Sequence, residues 1–328
     1  MRNLKEPVYR RVQLLMEYNK LGRTNIKVSQ VGFGALTLSK LQKNLSPKEA
    51  RYLLDAAVDY GINFFDTSEF YDNYSSLSYL SNYENIVMAS KSYAYNKSGA
   101  RKSVEKALKE LNRSYIDIFC LHEQESELTL KGHLEALLEL KRMKEEGLIR
   151  AIGISTHYIR GAKAAIENDY IEIVQAIINY KGVGIVDGTL NEMDEVLKTL
   201  KDNNKGIYAM KILGGGSLYK EVIEAFTFIK NYPNMDSFAL GIGDLSELEF
   251  AVKFFTEGTI NKTLLKKTSD INRKLYISSW CIGCGKCVEK CSQEALSLAG
   301  GKVEVNTKRC ILCGYCVGVC PELCIKIF

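Results

Sequence analysis

The sequence predicts an eight-stranded α/β barrel followed by a small cysteine-rich α+β domain, and three observations carry that expectation. From Val28 to about Thr256, short β-branched apolar runs alternate with longer helix-patterned stretches, and they do so eight times. Nine of the ten cysteines lie in the last 48 of 328 residues. Parallel strands need a crossover of a dozen or more residues, usually a helix, so the alternation implies a parallel sheet. Eight such units in about 230 residues fit a closed (β/α)8 TIM barrel. A doubly wound open sheet is the rival, and no GxGxxG follows the first strand to support it.

In chain order, residues 1–18 are expected to form an N-terminal extension, 19–265 the barrel and 266–328 the cysteine-rich domain. The extension is basic and broken by Glu6, Pro7 and Glu17, unlike the apolar stretch of a signal peptide. Expected strands are 28–36, 62–68, 85–91, 115–122, 149–156, 172–179, 206–213 and 237–243. Ser46-Pro47 opens a helix whose Leu53, Leu54, Ala57 and Val58 share a face and which Gly61 stops. A second helical stretch runs from Lys131 through HLEALLELKRMKEEG. The polar segment from Lys262 to Tyr276 is expected to be the linker. Lys plus Arg exceed Asp plus Glu by only 44 to 39, with charges interspersed, which argues against nucleic acid as a partner. No segment reaches the roughly 18 apolar residues of a membrane span, so a cytoplasmic location is expected.

The cysteines are not spread as in a small secreted disulfide scaffold, and their grouping reads as metal ligation. Cys281-x2-Cys284-x2-Cys287-x3-Cys291 is repeated as Cys310-x2-Cys313-x2-Cys316-x3-Cys320, followed by Pro321. Thiolates two residues apart can cover three corners of a cuboidal cluster, and the intervening glycines suit a tightly curled backbone. Four-thiolate zinc is the alternative for such pairs. The segment resembles bacterial ferredoxins that carry two 4Fe-4S clusters. The resemblance implies a crossed ligand set: Cys281, Cys284, Cys287 and Cys320 on one cluster, Cys310, Cys313, Cys316 and Cys291 on the other. Ser292 stands where the first motif of that family often has proline. Cys120 and Cys324 read as small buried hydrophobes.

Barrel active sites lie where the strands end. Asp66 ends the second strand, with Tyr71 five residues on; Lys91 ends the third and His122 the fourth. Singly, these could be a helix cap, a loop tyrosine, a solvated strand end and a core histidine. Together with YNKLGRTNIKVSQVGFGAL and GARKSVEKALKELNRSYIDIFCLHE, they resemble the aldo-keto reductase family, and GISTH is similar to its iron–sulfur branch. The resemblance implies a catalytic tetrad. Tyr71 would be the general acid to a carbonyl oxygen, Lys91 would lower its pKa, Asp66 would orient Lys91, and His122 would hold the substrate oxygen and share the proton relay.

The same resemblance places Ser155 and Gln175 at the nicotinamide carboxamide, Met210 below its ring, and Lys211, Gly214, Gly215 and Gly243 along the rest of the cofactor. A stacking tyrosine is common where Met210 stands. GIGDLSELEF after the eighth strand has no Lys or Arg where NADP-preferring members usually bind the 2′-phosphate, while Asp244 and Glu249 would repel one, so NAD is favoured over NADP. The stretch between Tyr71 and Lys91 is short and lacks the family's usual helix. His157 reads as a loop or surface histidine, His133 as structural, and Trp280 as packing at the domain junction.

Nicotinamide moves two electrons as hydride and each cluster takes one. A flavin would convert between them, but no motif supports one. Three functions compete: an oxidoreductase on a carbonyl/alcohol pair with electron transfer through the clusters to a partner protein, a carbonyl reductase with structural clusters, and a nicotinamide-binding sensor or docking module.

Overall fold

The computed structural model describes residues 16–269 and 271–328; of the predicted N-terminal extension, residues 1–15 lie outside them. Eight parallel strands close into a barrel: β1 Val31–Gly34, β2 Phe64–Asp66, β3 Val87–Ser92, β4 Ile116–Leu121, β5 Ile149–Thr156, β6 Ile173–Ile177, β7 Gly206–Met210 and β8 Ser237–Gly241. The seam joins the ends of the barrel sequence, with Phe238 opposite Val31 and Leu240 opposite Phe33.

The predicted first strand, 28–36, is split. Lys27–Ser29 pairs instead with Tyr18–Lys20 in a hairpin, and only Val31–Gly34 enters the barrel. The hairpin contributes Leu21, Ile26 and Val28 to a cluster with Phe64, Val87, Ile118, Ile173 and Tyr208, closing the barrel floor with apolar side chains. Its first strand begins at Tyr18, inside the stretch assigned to the extension.

The helices follow from their caps and apolar stripes. Helix α1, Pro47–Asp59, opens on a capping box in which Ser46 and Glu49 satisfy each other's backbone, and it buries Leu53, Leu54 and Ala57. Helices α2 Lys97–Glu110, α3 Leu134–Glu145, α4 Leu190–Asp202 and α5 Leu245–Glu257 clothe the barrel in the same way. Between Tyr71 and Lys91 the chain forms one α-turn, Tyr74–Leu77, and a 3-10 turn, Ser78–Asn82, so the expected loop is short helix. Buried Tyr74 and Leu77 hold it down. The expected linker is also partly helical: α6, Lys262–Ser269, buries Leu264 and Thr268, and the predicted 265/266 boundary falls within it.

The cysteine-rich domain repeats one plan. Each motif leads through a left-handed glycine, Gly285 or Gly314, into a short helix, Lys286–Lys290 or Tyr315–Gly318. Two antiparallel ribbons complete it, Leu275–Ile277 with Ile325–Ile327 and Leu296–Ala299 with Lys302–Val305. The domain packs over the C-terminal mouth of the barrel. Gly216 (φ +90°) is demanded there, because a Cβ would come within 1.8 Å of the Ile327 carbonyl oxygen. Among the described residues no helix is long and apolar enough to cross a membrane.

Candidate active site

The four strand-end residues converge. Asp66 and Lys91 end up side by side because β2 and β3 are neighbours, with Asp66 in register with Ala89. Both are buried. Lys91 Nζ donates to Asp66 Oδ1, Asp66 Oδ2 and the Thr67 carbonyl, each at 2.8 Å. The Tyr208 hydroxyl, on β7, donates to Asp66 Oδ1 at 3.0 Å. An ion pair without water is stable only when its remaining valences are satisfied, and Thr67 and Tyr208 do this.

Tyr71 ends a 3-10 turn, Glu69–Tyr71, capped by Ser68. Its ring centroid lies 5.3 Å from Lys91 Nζ and 6.2 Å from the His122 ring. Its hydroxyl has no hydrogen-bond partner among the described residues. Burial, then the charges of Asp66 and Glu123, raise the phenol well above its ordinary pKa of 10. The Lys91 ammonium, expected to lower that pKa, is aimed at Asp66 and Thr67 and meets the face of the Tyr71 ring.

His122 is buried, with Nδ1 3.2 Å from Ser68 Oγ. The Ser68 hydroxyl already donates to the Lys91 carbonyl at 3.1 Å, so the imidazole proton sits on Nδ1 and Nε2 is left as an acceptor. Burial first, partly countered by Glu123, brings the pKa down to about 3, so the ring is neutral. Tyr93 stacks on it at 4.4 Å.

A cleft lies between barrel and cysteine-rich domain, lined by Asp66, Tyr71, Gln175, Met210, Lys211 and Gly214–Gly216 among others. The buried Oε1 of Gln175 has no hydrogen-bond partner among the described residues, and a carboxamide NH2 fits that orphaned acceptor. Ser155 sits opposite Gln175 in register, but its Oγ accepts the Glu123 N–H at 3.0 Å. Gly243 does not line the cleft as expected, because its N–H is bound to Glu247 Oε2 at 2.8 Å; Gly241 does. Lys211 is held in the left-handed region at φ 56°.

The cysteines gather in two groups. Cys281, Cys284, Cys287 and Cys320, with Cys324, line one cavity; Cys291, Cys310, Cys313 and Cys316 line another. Cys324 is buried as expected, with its sulfur 3.4 Å from that of Cys320.

Residues 30–269 match the sequence model described as the Aldo/keto reductase family. The chain belongs to that family. Residues 271–321 match a 4Fe-4S dicluster domain, so this aldo/keto reductase is an oxidoreductase with a ferredoxin-like iron–sulfur domain. It is 28% identical over 220 residues to L-galactose dehydrogenase of Arabidopsis thaliana, covering 63% of this chain and 68% of that one. To the uncharacterized oxidoreductase YqkF of Bacillus subtilis it is 30% identical over 158 residues, covering 43% of this chain and only 49% of that one. An aldo-keto reductase from Bacillus halodurans in its holo form shares the fold, with a TM-score of 0.63 and 17% identity over 77% of this chain and 96% of that one.

Several residues of this aldo/keto reductase site escape sequence reasoning. Tyr208 lies inside an apolar strand run and carries no motif. Glu123 adopts φ 53° and its Oε2 takes the Nδ1 proton of His157 at 2.5 Å. Burial works to raise the Glu123 carboxyl, but His157, His122 and Lys211 together hold it below its ordinary range. His157 is thus buried rather than at the surface, and its Nε2 has no partner among the described residues. His133 is structural as expected, its Nδ1 2.7 Å from the Thr129 carbonyl at a helix end. Trp280 packs at the junction, its ring centroid 5.5 Å from that of Phe70 on the barrel, while its indole N–H donates to the Glu322 carbonyl at 3.2 Å.

Proposed function

We propose that this aldo/keto reductase is a nicotinamide-dependent enzyme acting on a small-molecule carbonyl/alcohol pair, with Tyr71 as general acid and electron transfer through two 4Fe-4S clusters to a partner protein. The observation that carries it is the buried Asp66–Lys91 ion pair beneath the Tyr71 ring and beside a neutral His122, opening on the cleft that holds the orphaned Gln175 oxygen.

Gln175 and Ser155 would hold the carboxamide, Met210 would pack below the ring, and Lys211 with Gly214 and Gly215 would line the phosphates. Nicotinamide, when bound, supplies or takes the hydride. Tyr71 holds its proton firmly and gives it up only as charge develops on the carbonyl oxygen, when the Lys91 ammonium lies close enough to stabilise the phenolate. In the reverse direction the free Nε2 of His122 can accept a hydrogen bond from an alcohol hydroxyl.

NAD is the proposed cofactor. The N-terminal amides of α5, a natural phosphate site, are already taken: Asp244 Oδ1 accepts from Ser246 and Glu247 at 2.8 and 3.0 Å. Glu247, rather than Glu249, faces the cleft, and Glu249 is engaged with Lys253 at 2.7 Å. Two cations do reach this end from elsewhere in the chain, but Lys43 lies 3.9 Å from Asp244 and Arg273 2.8 Å from Glu247.

The two sulfur groups follow the crossed pattern, which supports Cys281, Cys284, Cys287 and Cys320 as ligands of one cluster and Cys291, Cys310, Cys313 and Cys316 of the other. An aromatic series favours redox coupling over purely structural clusters. It runs from His122 through Tyr93, Phe70 and Trp280, with centroid steps of 4.4, 5.9 and 5.5 Å, and Trp280 precedes Cys281. The test is anaerobic. Protein carrying about eight irons per chain is mixed with NADH and separately with NADPH while the cluster absorbance is followed. Bleaching by NADH is expected; reduction by dithionite alone, with nucleotide bound, defeats the coupling.

A further inference from the structure

The cleft has a second set of polar groups that the hydride chemistry does not use. Lys326, on the last strand of the iron–sulfur domain, reaches the same cleft as Tyr71, Asp66 and Lys211. It is only 6% exposed, and its position is fixed by pairing opposite Tyr276. Its Nζ lies 4.7 Å above the Trp280 ring. Neither this amine nor that of Lys211 has a hydrogen-bond acceptor among the described residues.

The charges around them do not balance locally. The nearby carboxylate is Glu123, which acts on Lys211, Lys326, His122 and His157 alike and is already hydrogen-bonded to His157. Asp66 is occupied by Lys91 and Tyr208. Lys326 therefore has no carboxylate of its own: Glu123 is engaged, and the other anionic group acting on it is the Cys324 thiol. Buried charges are ordinarily paired. Burial first, then the repulsion of Lys211, brings Lys326 down to about 7 against the opposing pull of Cys324 and Glu123.

We infer that Lys326, with Lys211 left to the cofactor phosphates, is an anion subsite in the cleft shared with Tyr71 and binds a carboxylate carried by the substrate, so that the iron–sulfur domain selects what the barrel reduces. The inference rests on the carbonyl/alcohol reading of the site. Between Lys326 and Tyr71 the cleft is also lined by apolar Met210, Ile325 and Ile327, which would hold the carbon chain between the carboxylate and the reacting carbonyl. A rival role exists, since Lys211 also feels the charge of Cys320: the amines could serve as counter-charge to a cluster.

The test uses the cluster-loaded, NADH-saturated full chain under anaerobic conditions. Calorimetric titration compares butanoate with butanamide, and steady-state kinetics compares 4-oxobutanoate with butanal. Butanoate is expected to bind on the order of tenfold to a hundredfold more tightly than its neutral counterpart. Lys326→Met should bring that ratio close to one, and Lys326→Arg should keep most of it. Equal binding of butanoate and butanamide by the unaltered protein overturns the inference, whatever the variants do. So does a carboxylate preference that survives in K326M while the cluster midpoint potential shifts, which would assign Lys326 to the cluster. A preference abolished by K326M, with no NADH oxidised by 4-oxobutanoate, upholds the subsite and defeats the carbonyl reading instead.

Discussion

At the scale of single residues, the candidate site holds the Asp66–Lys91 pair, His122 and Tyr71 in distinct hydrogen-bonding states. Tyr71 is the only one whose proton is neither shared nor bridged. Tyr71→Phe should lower kcat by about 10²–10⁴-fold, and stopped-flow single turnovers will show whether the loss lies in the hydride step. Lys91→Met should act on the fold as well, because it leaves the Asp66 carboxylate buried with only Tyr208 and no cation. The expected loss is about 3–5 kcal/mol of unfolding free energy, read from urea denaturation under anaerobic conditions. His122 predicts a pH dependence of stability. Its folded pKa is depressed from 6.5 to about 3, so the unfolded chain takes up a proton first as pH falls. The stabilising contribution is complete above pH 6.5 and disappears progressively towards pH 3. In thermal melts between pH 7 and 4, His122→Asn should flatten part of that decline.

At the scale of elements, legibility followed whether a signal was local. The eight strands, the capped helix α1 and the cysteine repeats were readable because each depends on periodicity, capping or spacing within a few residues. The convergence of Asp66, Tyr71, Lys91 and His122 was readable because strand ends of neighbouring strands meet at one mouth in this architecture. Three things were not. The split of 28–36 into a floor hairpin and β1 depends on which partner pairs with Val28, and Val28 is apolar in either case. Tyr208 owes its role to a strand 142 residues from Asp66. The helix Lys262–Ser269 has few apolar residues, and only its packing on α5 makes it an element. The glycine run after β7 was read as a phosphate loop. Gly214 and Gly215 do line the cleft, but Gly216 is shaped by the carbonyl of Ile327. Gly216→Ala should therefore weaken docking of the iron–sulfur domain, with strain on the order of 1–3 kcal/mol. Limited proteolysis at the 262–276 segment, faster in the variant than in the unaltered protein, is the expected sign.

At the scale of the whole molecule, two domains enclose one cleft. Ile325, Lys326, Ile327 and Phe328 line it along with Met210, Leu240 and Gly241, so neither domain presents a complete site alone. On the proposed assignment, the cluster held by Cys281, Cys284, Cys287 and Cys320 would also anchor the strand that forms this wall, since Ile325–Ile327 begins five residues after Cys320. Removing the clusters from the full chain with a chelator and an oxidant should therefore weaken NADH binding by roughly tenfold, measured by equilibrium titration against the loaded protein.

The Ile327 carbonyl pressed into the space left by Gly216 also bears on how such a protein can change over time. Ferredoxin-like modules are common parts that could in principle be exchanged between hosts. Here the exchange would carry away Trp280, Lys326 and the backbone that Gly216 was fitted to receive. A chimera bearing a foreign module of the same fold would have to reproduce the path of the backbone at Ile327 to seat against Gly216, a constraint that ties changes in one half to changes in the other.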